Sequence, residues 1–129
     1  EGAGCVSRTA GTPYSEYSLQ LPQGAEIDYL RVFFYDNNED YNVSATLYWF
    51  DGEGGYDDIV KVSSTGTPGQ STKGSGYTFT HEVDNVHESL LLRLNYGSAG
   101  DNTLRICGVR IRYQYTGLMG LNFLPLINK

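Results

Sequence analysis

Apolar and polar residues alternate at a period of two along most of this chain, and no stretch shows the 3.6-residue recurrence of an amphipathic helix. Tyr17, Leu19 and Leu21 alternate with Ser18 and Gln20. Between Ile27 and Tyr35, Leu30, Val32 and Phe34 take one face while Tyr29, Arg31, Phe33 and Tyr35 take the other. Val43, Ala45, Leu47 and Trp49 likewise oppose Ser44, Thr46, Tyr48 and Phe50. A short strand is predicted from Ile59 to Ser63, another where Tyr77, Phe79, His81 and Val83 alternate, and a continuous apolar one from Leu90 to Leu94. The longest runs from Thr103 to Tyr115, with Cys107, Val109, Ile111, Tyr113 and Tyr115 opposite Arg110, Arg112 and Gln114. Turn-forming stretches at Leu21–Gly24, Asp36–Asp40 and Asp51–Gly55 separate these runs. About seven strands punctuated in this way predict an all-β chain, a single jelly-roll-like antiparallel β-sandwich.

At 129 residues the chain has room for one core. Residues 1–13 read as an extended N-terminal arm, 14–117 as the sandwich and 118–129 as an apolar tail. Nine Lys+Arg against fifteen Asp+Glu leave a net charge of −6, which argues against nucleic acid because phosphate binding needs a basic face. No apolar run approaches the ~20 residues of a spanning helix, so no membrane insertion is expected. The polar segment 63–76, SSTGTPGQSTKGSG, reads as a loop long enough to be mobile or modified.

Cys5 and Cys107 lack the closely spaced Cys or His partners of a zinc site. A disulfide between them is expected, with two separately buried thiols as the alternative. The opening Glu1-Gly2-Ala3-Gly4 reads as a mature N-terminus left by signal-peptide removal. Both features predict a secreted protein, extracellular or held at the cell surface.

Several short motifs follow in a recognisable order: Leu21-Pro22-x-Gly24-Ala25-x-Ile27, Phe34-Tyr35-Asp36-Asn37, Val83-Asp84-Asn85 and Cys107-Gly108-Val109-Arg110-Ile111. On these the stretch from Leu21 to Tyr113 resembles a jelly-roll-like β-sandwich module of secreted and surface bacterial proteins. Phe123-Leu124-Pro125-Leu126-Ile127 is similar to a short apolar ending of some secreted bacterial proteins. The resemblance implies an extracellular domain and transfers no catalytic residues.

His81, Asp84, His87 and Ser89 are the one cluster resembling a nucleophile–base–acid set, and surface histidines beside a loop are the simpler reading. The carboxylate pairs Asp36/Asp40 and Asp57/Asp58 fall in turns, where such groups are usually solvated. No catalytic residue is assigned, and the chain is not expected to be an enzyme. Asp36, Asn38 and Asp40 alternate in a way that can present three oxygens to calcium, the single cofactor considered. Asn42-Val43-Ser44 is an N-glycosylation triplet. Tyr29, Phe33, Tyr35, Tyr48 and Phe50 are read as an exposed aromatic platform, suited to a protein contact or to surface glycans.

The tail gathers Leu118, Met119, Leu121, Phe123, Leu124, Leu126 and Ile127 within ten positions, where a terminal segment is ordinarily polar. Two predicted strands also carry large side chains on both faces, which calls for cover on the outer one. Together these predict a structural subunit of a bacterial extracellular filament, a pilus-like homopolymer. Residues 118–127 would be donated as a strand to the next copy, with Phe33, Tyr35, Tyr48 and Phe50 in the subunit interface. A carbohydrate-binding or adhesive module is the alternative.

Overall fold

The structure, a computed structural model, describes residues 4–7, 14–97 and 102–115. It contains eight strands: β1 Tyr14–Leu19, β2 Glu26–Asp36, β3 Ser44–Phe50, β4 Tyr56–Ser63, β5 Gly69–Gly74, β6 His81–Glu82, β7 Ser89–Asn95 and β8 Leu104–Gln114. One antiparallel sheet has the order β1-β7-β3-β4. In the other, β2 is central: β8 lies along one edge, and β5 and β6 share the opposite edge. The chain is therefore an all-β antiparallel sandwich, as its alternation predicts.

The core lies between the two sheets and draws on the alternate positions read from the sequence. Leu30, Val32 and Phe34 of β2 meet Ala45 of β3, Leu92 and Leu94 of β7, and Leu104 and Ile106 of β8. A second cluster, around Ala25, Ile27, Leu47, Val83 and Leu90, closes the other end. Each large aliphatic side chain taken fully out of water contributes roughly 1.5–3 kcal/mol before ordering costs.

The strand count rises from seven to eight because part of the polar segment 63–76 is β5. Its sequence GQSTKG carries no apolar face. It is held by pairing of Gly69–Gly74 with residues 31–36 of β2. The ladder is continued by Ser75, whose amide donates to the Leu30 carbonyl at 2.8 Å and whose Oγ accepts the Leu30 amide at 3.0 Å. Conversely, the expected strand from Tyr77 to Val83 shrinks to His81–Glu82.

Three register shifts also depart from simple alternation, leaving Asp28, Ile59 and Cys107 as extra residues. The last corrects the face assigned to Cys107. Ile106 pairs with Phe34 and Gly108 with Phe33, so the core-facing series runs Leu104, Ile106 and then Val109, Ile111 and Tyr113. A bulge bends the strand and re-aims the inserted residue, and Cys107 is bonded to Cys5. Beside this disulfide Val6 forms a two-way bridge with Ile106, each amide donating to the other's carbonyl at 2.9 Å. The arm is thus laid against β8 at that point. Arm positions 1–3 and 8–13, and the tail residues Leu118, Met119, Leu121, Phe123, Leu124, Leu126 and Ile127, lie outside the described residues.

Candidate functional site

The free edge of β8 is the least finished part of the sandwich. Val6 bridges it at Ile106, and no other strand pairs with that edge among the described residues. Burial follows the pairing. Leu104 and Ile106 are 1% and 4% exposed, whereas Val109 and Ile111 are only half-buried and Tyr113 is 42% exposed. All three of the latter face the core side, opposite Val32, Leu30 and Ile27, each fully buried on β2. Val109 and Ile111 touch the core, as does half-buried Leu19 of β1, the edge strand of the other sheet. Among the described residues, then, the second half of β8 has an unpaired backbone edge beside incompletely covered apolar side chains, the arrangement that accepts an added strand.

The aromatic residues read as one platform are divided by the fold between opposite outer faces. Tyr29, Phe33 and Tyr35 occupy the outer positions of β2, and Tyr48 and Phe50 those of β3 in the other sheet. One segment cannot cover both sets. Nor does the β2 set lack cover. Arg110 lies over Phe33 at 5.1 Å, Arg105 over Tyr35 at 4.1 Å and Arg31 over Tyr29 at 5.6 Å. Arg112 lies over Tyr77, which itself stacks on Tyr29. Guanidinium groups on ring faces take the place of a partner chain there.

On the opposite face, Glu16 of β1 accepts hydrogen bonds from the Tyr48 hydroxyl at 2.6 Å and from Arg93 Nε at 2.8 Å, and pairs with Arg93 Nη2. Arg93 stacks on Tyr14 at 4.5 Å and on Tyr48 at 5.3 Å, joining β1, β7 and β3. The Tyr48 hydroxyl, and then the Arg93 guanidinium, hold the Glu16 carboxyl below its ordinary value of 4.5. Burial, followed by the Glu16 hydrogen bond, pushes the Tyr48 hydroxyl up.

Because Glu16 titrates lower in the folded chain than in the unfolded one, its contribution is complete above 4.5 and is lost as pH falls through the folded value. Glu16→Gln is therefore expected to lower Tm slightly at neutral pH and to leave it unchanged below the folded value. Tm measured against pH for both proteins checks this; parallel curves would remove Glu16 from the acid response. Next to this clamp an open cleft of about 740 Å³ is lined by Tyr48, Phe50, Tyr56, Asp58, Lys61 and Arg93.

The three residues of the calcium expectation lie at the end of β2 and in the turn after it, where the side chains of two of them are engaged in hydrogen bonds within the protein. Asp36 is fully buried, with Oδ2 accepting from Ser64 Oγ and Oδ1 from the Asn38 amide. Asn38 Oδ1 accepts from the amides of Asp40 and Tyr41, while its Nδ2 donates to Thr103. These oxygens tie the turn to itself, and Asp40 is exposed. No group of three or more His, Cys, Asp or Glu side chains suited to a metal occurs among the described residues. Asn42 is exposed immediately before β3, and the Ser44 of its triplet is buried within that strand.

The histidines belong to two separate pairs. His81 Nε2 lies 2.6 Å from Glu88 and His87 Nδ1 lies 2.8 Å from Asp84. Ser89 is exposed at the start of β7 and bonds to neither. Asp57 and Asp58 are exposed on β4, with Asp57 accepting the Asp58 amide.

Ser64, Glu16 and Arg93 were not singled out in the sequence. Their partners lie 28, 32 and 45 residues away, beyond any local pattern. No protein-family model, curated protein or solved structure matches the chain.

Proposed function

We propose that this chain is a structural subunit of an extracellular bacterial filament in which each copy receives a strand from its neighbour. The observation that carries the reading is the outer edge of β8, unpaired beyond Val6 among the described residues and flanked by half-buried Val109 and Ile111. The donor is the segment 118–127, whose seven large apolar residues match an edge that has apolar positions left to fill. Pro125 cannot donate to a ladder, so pairing ends before it or uses only one side there. The contact joins two different surfaces, the tail of one copy and the β8 edge of the next, and such a contact repeats into an open fibre unless its rotation closes.

Negative-stain microscopy of the natively purified chain, with and without residues 118–129, tests this. Long filaments from the full chain and monomers from the truncated one are expected, and Ile111→Arg in the full chain should also prevent assembly. Monodisperse monomers in every case would overturn the reading and leave the tail folded back on its own domain.

A second reading, a carbohydrate-binding or adhesive module, rests on the cleft that groups Tyr48, Phe50 and Tyr56 with Asp58 and Lys61. Rings with convergent polar groups suit a sugar. Retention on a glycan array that survives deletion of the tail would favour it.

A further inference from the structure

The outer face of the β5-β2-β8 sheet is positively charged on a chain that is otherwise acidic. Arg31, Arg105, Arg110 and Arg112 supply four of the nine Lys and Arg residues of the whole protein. Apart from Asp36, the carboxylates of this sheet are exposed Glu26 and Glu82 and buried Asp28, all towards one end. Of these, Asp28 lies 3.6 Å from Arg112 Nε. Arg31 and Arg110 are direct cross-strand partners, an arrangement that costs free energy unless something compensates it. Arg31 is partly compensated by donating to the Tyr29 hydroxyl and to Thr72 Oγ1. Exposed Arg110 has a ring beneath it, and its guanidinium makes no hydrogen bond to any described residue.

Each of these guanidinium groups rests on an aromatic ring, which fixes its stem; Arg110 keeps its N–H edge uncommitted, and Arg112 shares its own with Asp28. Planar N–H forks of this kind bind carboxylate and sulfate oxygens. Arg110 and Arg112 stand two residues apart on β8, and the row from Arg105 to Arg112 extends roughly 20 Å at ~3.3 Å per residue. That is a track for a chain of anionic groups and is too long for a single small anion. Capped ring faces also disfavour the stacking by which neutral sugars and single-stranded bases are held.

We propose that this face binds a linear anionic polysaccharide, one carrying carboxylate or sulfate groups along its length, with Arg110 and Arg112 as its principal contacts. The site is separate from the β8 edge and from the cleft. A monomer that binds such a polymer would keep this proposal and sink strand donation.

The test is biolayer interferometry on the full chain with heparin as the sulfated probe, polygalacturonate as the carboxylated one, and neutral dextran and a poly-dT oligonucleotide as comparisons. Binding to at least one anionic polysaccharide is expected, in preference to dextran and poly-dT. The R110Q/R112Q change should weaken it by at least about tenfold. The slope of log affinity against log salt should also fall by about two. R110K/R112K keeps the charge but loses the planar fork, so it should bind more weakly than wild type and more tightly than R110Q/R112Q, with the salt slope unchanged. If R110Q/R112Q does not fold, Arg110→Gln alone should still weaken binding severalfold. Absence of binding to both anionic polymers, equal affinity of wild type and R110Q/R112Q, or tighter binding of dextran or poly-dT would each overturn the proposal.

Discussion

Replacing both Cys5 and Cys107 with alanine is expected to cost roughly 4–5 kcal/mol of stability. The bridge spans 102 residues, so it constrains nearly the whole unfolded chain. Loss of that constraint expands the unfolded ensemble, and the denaturant m-value should rise together with the fall in midpoint. The arm should also loosen, because the disulfide reinforces the pair of backbone bonds by which Val6 holds Ile106. Urea unfolding of the wild type, with and without reductant, and of C5A/C107A measures all three effects. A midpoint that barely moves would mean that the arm bridge alone holds this edge, and that the long loop is already compact when unfolded.

The same corner of the molecule shows how far sequence reasoning reaches. Leu30, Val32 and Phe34 were legible as core because β2 is regular there and each residue's burial follows from position parity alone. Cys107 was placed on the wrong face because a bulge inserts one residue without changing the local composition. Gly108 beside it was the available hint, since glycine within a strand often marks such a site. β5 was invisible because Gly69–Gly74 contributes backbone bonds rather than an apolar face. The aromatic outer positions of β2 were identified correctly, but their cover was not. The arginines that cap Phe33 and Tyr35 come from β8, seventy or more residues later, and only the register of β2 against β8 brings them together. An outer face rich in rings was therefore an ambiguous sign of a missing partner, whereas the half-buried state of Val109 and Ile111 depends on which edge is left open, something only the topology supplies.

Asp36→Ala is expected to cost about 3–5 kcal/mol, far more than a turn carboxylate normally would, through the loss of two hydrogen bonds to a fully buried group. Ser64 Oγ sits at the centre of this network. It donates to Asp36, accepts the Val43 amide at 3.0 Å and lies on a segment whose own amide donates to the Val43 carbonyl at 2.9 Å. Removing the carboxyl leaves the buried Ser64 hydroxyl only its longer contact with the Val43 carbonyl and strips the half-buried Asn38 amide of its acceptor. It also loosens the turn that Asn38 ties to Thr103, the residue leading into β8. Asp36→Asn should cost much less, because its amide oxygen can still accept from Asn38 while its NH₂ donates to Ser64 Oγ, which retains the Val43 carbonyl at 3.4 Å as an acceptor. Comparing the two variants by denaturant unfolding separates a structural polar lock from a metal site. Under the lock, added calcium changes neither the wild-type midpoint nor the order of the variants. A calcium-dependent rise confined to the wild type would instead restore Asp36, Asn38 and Asp40 to the role their spacing first suggested.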